Sequence, residues 1–189
     1  AACRLAACDS QRGERSARRV MTATVTVRAA GPRDLKLLVE MCDALNAYSG
    51  ITPGRLDPKQ FRAALFGKTA FVFGDMAFAM EEGERRPSPA GYALCHDGFT
   101  TDFGERGMYL IDLYVEPAWR RAGVGRRLLA AVAARTKARG GTHVWWASMS
   151  GNFQARRFYA ALGASDEKMH SHSLFGRPFE RLAAEAQKP

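Results

Sequence analysis

Tyr109-Leu110-Ile111-Asp112-Leu113-Tyr114-Val115-Glu116-Pro117-Ala118-Trp119-Arg120-Arg121-Ala122-Gly123-Val124-Gly125-Arg126-Arg127-Leu128-Leu129 is the stretch on which the reading of this chain turns. An apolar run of strand character is stopped by Glu116-Pro117. Arg120-x-x-Gly123-x-Gly125 then leads straight into an amphipathic segment whose apolar stripe is Leu128, Leu129, Val132 and Ala133. Glycines at 123 and 125 let the backbone approach a ligand without an intervening Cβ. The first helical turn leaves unpaired N–H groups at the positive end of the helix dipole. Such a turn is an anion site of the kind that holds a pyrophosphate, and Arg120, Arg121, Arg126 and Arg127 add positive charge. The spacing differs from G-x-G-x-x-G and from a P-loop. Taken alone, the six residues also fit a tight strand-to-helix turn with solvated arginines.

Outward from this stretch, strands and helices alternate. Thr24 to Arg28 reads as a strand, and Leu35, Leu38, Cys42 and Leu45 recur at helical spacing after Gly31-Pro32. A shorter helix is predicted from Pro58 to Leu65. Phe71-Val72-Phe73 and Ala77-Phe78-Ala79-Met80 are strand material flanking Gly74-Asp75, and Glu81 to Pro89 reads as a hairpin loop. Further strands are expected at Gly91 to Cys95, Met108 to Val115 and His143 to Ala147. A helix is predicted over Asn152 to Leu162, and a last strand or hairpin over His172 to Phe179. The order implies an α/β (α+β) domain: a mixed sheet with helices on both faces. Residues 1–20 lack periodicity and read as a disordered leader or upstream extension. Residues 21–185 read as one domain and 186–189 as a tail.

Composition narrows the function classes. A chain of 189 residues, 47% hydrophobic and 25% charged, suits a globular domain with a real core. No apolar run is long enough to span a membrane. The four cysteines (Cys3, Cys8, Cys42, Cys95) show no CxxC spacing, which argues against a disulfide framework and points to a reducing, cytoplasmic home. The net charge of +9 invites a nucleic-acid reading. However, five arginines against Asp9 and Glu14 concentrate part of that charge in the first twenty residues, and the rest is dispersed. A basic surface also suits an anionic cofactor, and nucleic acid is not expected as a partner.

A second motif follows as Asn152-x-x-Ala155-x-x-Phe158-Tyr159-x-x-Leu162-Gly163-Ala164. Together with Arg120-x-x-Gly123-x-Gly125 behind its strand, it resembles the GNAT superfamily of acetyl-CoA-dependent N-acetyltransferases over nearly the whole ordered chain. The similarity is greatest to the diamine and thialysine-type enzymes, through Tyr109-Leu110-x-Asp112-Leu113-Tyr114-Val115 and Gly91-Tyr92-Ala93. It implies a three-layer fold with a mostly antiparallel twisted sheet of six to seven strands, the fourth and fifth splayed apart.

The resemblance also implies roles. Backbone groups of Leu113, Tyr114 and Val115 would pair with the pantetheine arm, with an N–H of Leu113 or Tyr114 polarising the thioester carbonyl. Amides from Arg121 through Ala122, Gly123, Val124 and Gly125 to Arg126 would hold the pyrophosphate, with Arg120 beside them. Asn152 and Ala155 would face the far side of the cofactor. Ala155, Phe158, Tyr159 and Leu162 share one helix face, from which Tyr159 would protonate the departing thiolate. From spacing alone, Tyr159 fits a core tyrosine better than an acid, and it is the resemblance that implies the catalytic role. The diamine enzymes carry Glu-Asp where this chain has Ile111-Asp112, so their glutamate is missing. Strand alternation would put Ile111 and Asp112 on opposite faces. Asp97, Asp102, Glu105 or a water chain remain as receivers of the amine's proton.

His170-x-His172 lacks a third ligand, and no metal is expected. Cys95 reads as buried rather than nucleophilic. Trp145-Trp146 reads as sheet packing, with at most one ring at the substrate cleft. Phe99 and Phe103 fit either the acceptor pocket or hairpin packing. The reading is acetyl transfer from acetyl-CoA to a primary amine of a small molecule, by a homodimer as the resemblance implies. Acetylation of a protein or peptide amine, and a non-catalytic acetyl-CoA-sensing domain, stand as alternatives.

Overall fold

The computed structural model describes residues 23–102 and 104–186; the expected leader, Phe103, Cys3, Cys8 and most of the tail lie outside them. The first part of the chain, up to Trp146, forms one compact unit and residues 147–189 a second. In the first unit, β1 (Thr24–Ala29) is followed by α1 (Leu35–Tyr48), α2 (Pro58–Phe66), β2 (Val72–Met80), β3 (Ser88–Thr100) and β4 (Glu105–Val115). A 3-10 turn at Pro117–Trp119, α3 (Val124–Ala138) and β5 (His143–Trp145) complete it. Strand order is β1-β2-β3-β4-β5; the first four are antiparallel and β5 runs parallel to β4.

The two sheet faces carry separate cores, as the alternation of β3 requires. On one face Val124, Leu128 and Val132 of α3 pack on Ala77, Ala79, Ala93, Cys95, Met108 and Leu110. On the other, Leu38, Met41 and Cys42 of α1 and Phe61 and Leu65 of α2 pack on Met76, Tyr92, Leu94 and Tyr114. Helices thus cover both faces, as expected. The buried stripe of α3 is Val124, Leu128, Val132 and Thr136; Leu129 is only partly covered and Ala133 is exposed, because the sheet meets a single i, i+4 row.

Two expectations are corrected. The described sheet has five strands, not six or seven. The segment expected as a last strand is irregular up to Phe175 and then enters helix α5 (Arg177–Glu185), behind α4 (Phe153–Ala160) in the second unit. Pro178 in the first turn supplies a helix-compatible φ, and Phe179 and Leu182 fall at i, i+3. His170 and His172 therefore do not share a strand face. β2 also runs unbroken through Gly74-Asp75. A Cβ at Gly74 would stand only 3.2 Å from Ala30 and 3.4 Å from Leu65 and Leu94.

An ion pair crosses from sheet to α3. Arg135 Nη2 lies 2.5 Å from Asp75 Oδ1, with side-chain exposures of 24% and 4%. Asp75 Oδ2 and Arg135 Nε have no hydrogen-bond partner among the described residues. Arg135 and Arg139 also stand over the Phe73 ring.

Candidate active site

The turn predicted to bind an anion is built by two left-handed residues. After β4, the Glu116 N–H donates to the Ala90 carbonyl at 3.0 Å, and Trp119 is buried in the α3-side core. Arg121 then takes φ 70° and Gly123 φ 78°. For arginine that conformation costs about 1 kcal/mol or more. Alternating left-handed residues turn successive N–H groups toward one concavity. No heavy atom lies within 4 Å of where a Gly123 Cβ would stand, so it is the left-handed φ and not crowding that calls for glycine there. Helix α3 begins there with no side-chain cap and no acidic residue in its first turn, leaving its amides to an external anion. Arg121, Arg126 and Arg127 are exposed around it. Arg120 is committed elsewhere: its Nε donates to the Val115 carbonyl at 3.3 Å and its guanidinium lies 5.5 Å from the Tyr48 ring centroid. Its side chain ties the end of β4 to the end of α1.

β5 pairs with β4 only at Gly107, Met108 and Tyr109. From Leu110 to Val115 the β5-side edge of β4 has no strand partner among the described residues. A Cβ on Gly91 would stand 2.3 Å from the Tyr114 carbonyl oxygen, so that carbonyl faces β3. In a strand the N–H and C=O of one residue point the same way and alternate along the chain. Tyr114 is therefore turned to β3, while Leu113 and Val115 are turned to the open edge, where the Val115 carbonyl is taken by Arg120 and its N–H is not. Of the three residues expected to pair with a pantetheine arm, Leu113 and Val115 are thus at the open edge and Tyr114 is not. The Tyr114 side chain is buried under α1, its hydroxyl 3.3 Å from Glu116 Oε2.

Between β3 and β4 the register shifts: Leu94 faces Asp112 but Cys95 faces Leu110, so Ile111 is the extra residue of a bulge. The bulge inverts the alternation. Leu110 and Leu113 both pack on the α3 side, whereas Asp112 Oδ2 accepts the Tyr92 hydroxyl at 3.2 Å on the α1/α2 side. The expected opposition of Ile111 and Asp112 fails for this reason, and both belong to the α1/α2 face. Burial raises the Asp112 carboxyl above its ordinary range, against the opposing effect of the Tyr92 hydrogen bond. Burial likewise pushes the Tyr92 hydroxyl up, aided by the charge of Asp112. Cys42, beside Tyr92, is pushed up to about 11 by burial. Cys42 and Tyr48 carry no motif and Tyr92 was quoted only within Gly91-Tyr92-Ala93, with no role; the pairing of β3 with β4 and the packing of α1 bring Tyr92 and Cys42 to Asp112, and Arg120 brings Tyr48 to the end of β4.

Several other candidates now have places. Cys95 is fully buried and its thiol is pushed up to about 11 by burial, as suits a core residue. Asp97 is bound by Arg139 at 2.5 Å, which holds its carboxyl below the usual range, so it is no free amine receiver. Glu105 accepts the Thr142 hydroxyl, and Asp102 is exposed. Phe99, 60% exposed, falls by alternation on the face opposite Tyr92.

In the second unit, Asn152 Oδ1 accepts the Ala155 N–H at 3.1 Å and caps α4. Arg156 pairs with Asp166 at 2.6 Å. Ala155, Phe158, Tyr159 and Leu162 are partly covered while their neighbours 153, 154, 156 and 157 are exposed, so the predicted common face is present. The Phe158 and Tyr159 rings lie 5.3 Å apart. Burial raises the Tyr159 phenol above its ordinary range, keeping it protonated near neutrality.

An uncapped left-handed turn behind an open strand edge suits an elongated ligand with an anionic end, and comparison with known proteins gives the class. Residues 39–164 match the model of the Acetyltransferase (GNAT) family. The chain belongs to that family and is an N-acetyltransferase. It is 29% identical over 168 residues to the thialysine N-epsilon-acetyltransferase of Bos taurus, covering 85% of this chain and 98% of that protein. It is 25% identical over 146 residues to the D-amino-acid N-acetyltransferase HPA3 of Saccharomyces cerevisiae, covering 77% and 88%. Among solved structures, an integron cassette protein from the mobile metagenome of V. cholerae shares the fold. Its TM-score is 0.65 at 21% identity, with 84% of this chain and 97% of that chain covered.

Proposed function

We propose that the chain moves the acetyl group of acetyl-CoA directly onto a primary amine of a small molecule. The observation that carries this reading is the continuity of the open β4 edge with the uncapped turn at Arg121 to Gly123, on one unbroken stretch of chain. Leu113 and Val115 would pair with the pantetheine arm, and the Leu113 N–H would polarise the thioester carbonyl, a donor contributing on the order of 3 kcal/mol. Amides of Arg121 to Arg126 would hold the pyrophosphate, with Arg120 bracing the strand end. Asn152, Ala155 and Phe158 would shape the cofactor-facing side of α4, and Tyr159 would return a proton to the CoA sulfur. Asp112, aimed from the bulge and held by Tyr92, would receive the acceptor's ammonium. The acetyl-CoA itself supplies the activated acyl group.

Named relatives that act on thialysine and on D-amino acids support a small amine acceptor. The reading includes a transferase domain over residues 21–185 and a homodimer. It also places the protein in the cytoplasm, in keeping with the free thiols of Cys42 and Cys95. The test is release of free CoA thiol from acetyl-CoA with a panel of primary amines. Cofactor-dependent thiol release with an amine supports transfer. Acetyl-CoA binding without thiol release from any amine would replace the reading by cofactor sensing.

A further inference from the structure

The α1/α2 face of the sheet continues past Asp112 into a row of rings. On β3 the side chains of Tyr92, Leu94, His96 and the place of Gly98 share this face; on β4 Gly107 and Tyr109 do, since Met108 and Leu110 point to α3. Tyr109 lies 5.5 Å from His96 and 6.0 Å from Trp145, and Trp145 stacks on His143 at 5.0 Å, all between ring centroids. Trp145 can lie there because two glycines leave the floor clear. A Cβ on Gly98 would stand 2.3 Å from its ring, and one on Gly107 would stand 2.8 Å from it and 2.5 Å from the His143 carbonyl oxygen. His96, Tyr109, His143 and Trp145 are each only partly covered, so the row retains accessible surface. Tyr109 stands two residues before the bulge, about 7 Å along the strand.

Beside Asp112 the bulge presents Ile111, an exposed apolar residue. A short diamine anchored at Asp112 would carry its second ammonium to this distance. Rings and imidazoles stand there, and the other carboxylate that shares this face of β4, Glu105, lies two residues beyond Gly107 and accepts the Thr142 hydroxyl. An apolar or aromatic body attached to a single ammonium matches the same ground: charge at Asp112, flat surface at Tyr109 and Trp145.

Resting on the transferase reading above, we propose that the acceptor is a small monoamine with a flat aromatic body that stacks on the Tyr109–Trp145 platform, rather than a diamine or polyamine. The probes are 2-phenylethylamine and 1,4-diaminobutane, each with acetyl-CoA and the full chain, read by thiol release. The expected kcat/KM ratio favours 2-phenylethylamine by tenfold or more. Trp145→Leu keeps an apolar side chain over the glycine floor and should lower that ratio about three- to tenfold, the size of an aromatic contact, with acetyl-CoA affinity unchanged. Tyr109→Leu should shift it the same way. Ile111→Glu should shift it toward the diamine. An independent readout is the change of tryptophan fluorescence on titrating 2-phenylethylamine, expected in the wild type and absent in Trp145→Leu.

A ratio that favours the diamine, or one that neither Trp145→Leu nor Tyr109→Leu moves, overturns the proposal while leaving amine acetylation intact. If neither amine nor any other releases thiol although the fluorescence titration persists, the transferase reading falls and the platform loses its role as an acceptor site with it.

Discussion

Replacing Arg135 by methionine tests how α3 is fixed to the sheet. Its guanidinium lies 2.5 Å from Asp75, whose side chain is only 4% exposed and whose second carboxylate oxygen has no partner. Removing the arginine leaves a nearly buried charge without compensation, which in general costs about 3–5 kcal/mol. Arg135 itself keeps 24% exposure, so water can enter the vacated space, and the lower end, about 3 kcal/mol, applies. Asp75→Asn is the milder change at about 1–2 kcal/mol, because the stranded guanidinium is nearer solvent and still lies over Phe73. The double variant Asp75→Leu/Arg135→Met removes both charges and should return to within about 1 kcal/mol of the wild type. Urea unfolding at neutral pH, with a common m-value across the four proteins, reads these differences. Arg135 is twelve residues from Gly123, about 18 Å along the helix, so acetyl-CoA affinity of the folded variants should change less than twofold. An Arg135→Met cost below about 1 kcal/mol, or a double variant as unstable as the two single losses combined, would refute the account of the pair as mutually compensating buried charges.

Three further outcomes are expected. Tyr159→Phe should lower kcat by about 10²- to 10⁴-fold with acetyl-CoA affinity unchanged, measured by thiol release and calorimetry; unchanged turnover removes Tyr159 from the chemistry. Arg121→Gly relieves left-handed strain at φ 70°, so Tm should hold or rise by a few degrees while acetyl-CoA binds more weakly for want of one cation; a clear fall in Tm contradicts the strain. Burial raises the Asp112 carboxyl in the folded state, so its ionised form costs stability once pH passes the ordinary carboxylate range of about 4. Asp112→Asn should therefore melt higher than wild type at pH 7 and match it near pH 3; the reverse order at pH 7 would show that the Tyr92 hydrogen bond outweighs burial.

The turn from β4 into α3 was legible because its parts are local: Glu116-Pro117 ends a strand, and glycines two apart open a helix within eight residues. The helix face of Ala155, Phe158 and Tyr159 was legible for the same reason, being fixed by a 3.6-residue period. What escaped depends on partners distant in sequence. The bulge at Ile111 exists only relative to Leu94 and Cys95 on β3, and without it alternation set Ile111 and Asp112 on opposite faces. Tyr92 joins Asp112 across twenty residues, and Arg135 joins Asp75 across sixty. The C-terminal segment misled because Leu174, Phe175 and Phe179 satisfy a strand pattern as readily as a helical one, and only the chain beyond Pro178 distinguishes them.

The odd residue at 111 also makes the two halves of β4 independent of one another. Delete it, and Leu110 and Asp112 become neighbours opposite Cys95 and Leu94, so every side chain on either half keeps its face and only the kink is lost. A single deletion within either half is different: the residues between it and the bulge must turn over to keep pairing with β3, and Ile111 is drawn into the place of Leu110 or Asp112. The bulge is thus the one point at which β4 can change length by a single residue without exchanging its two faces.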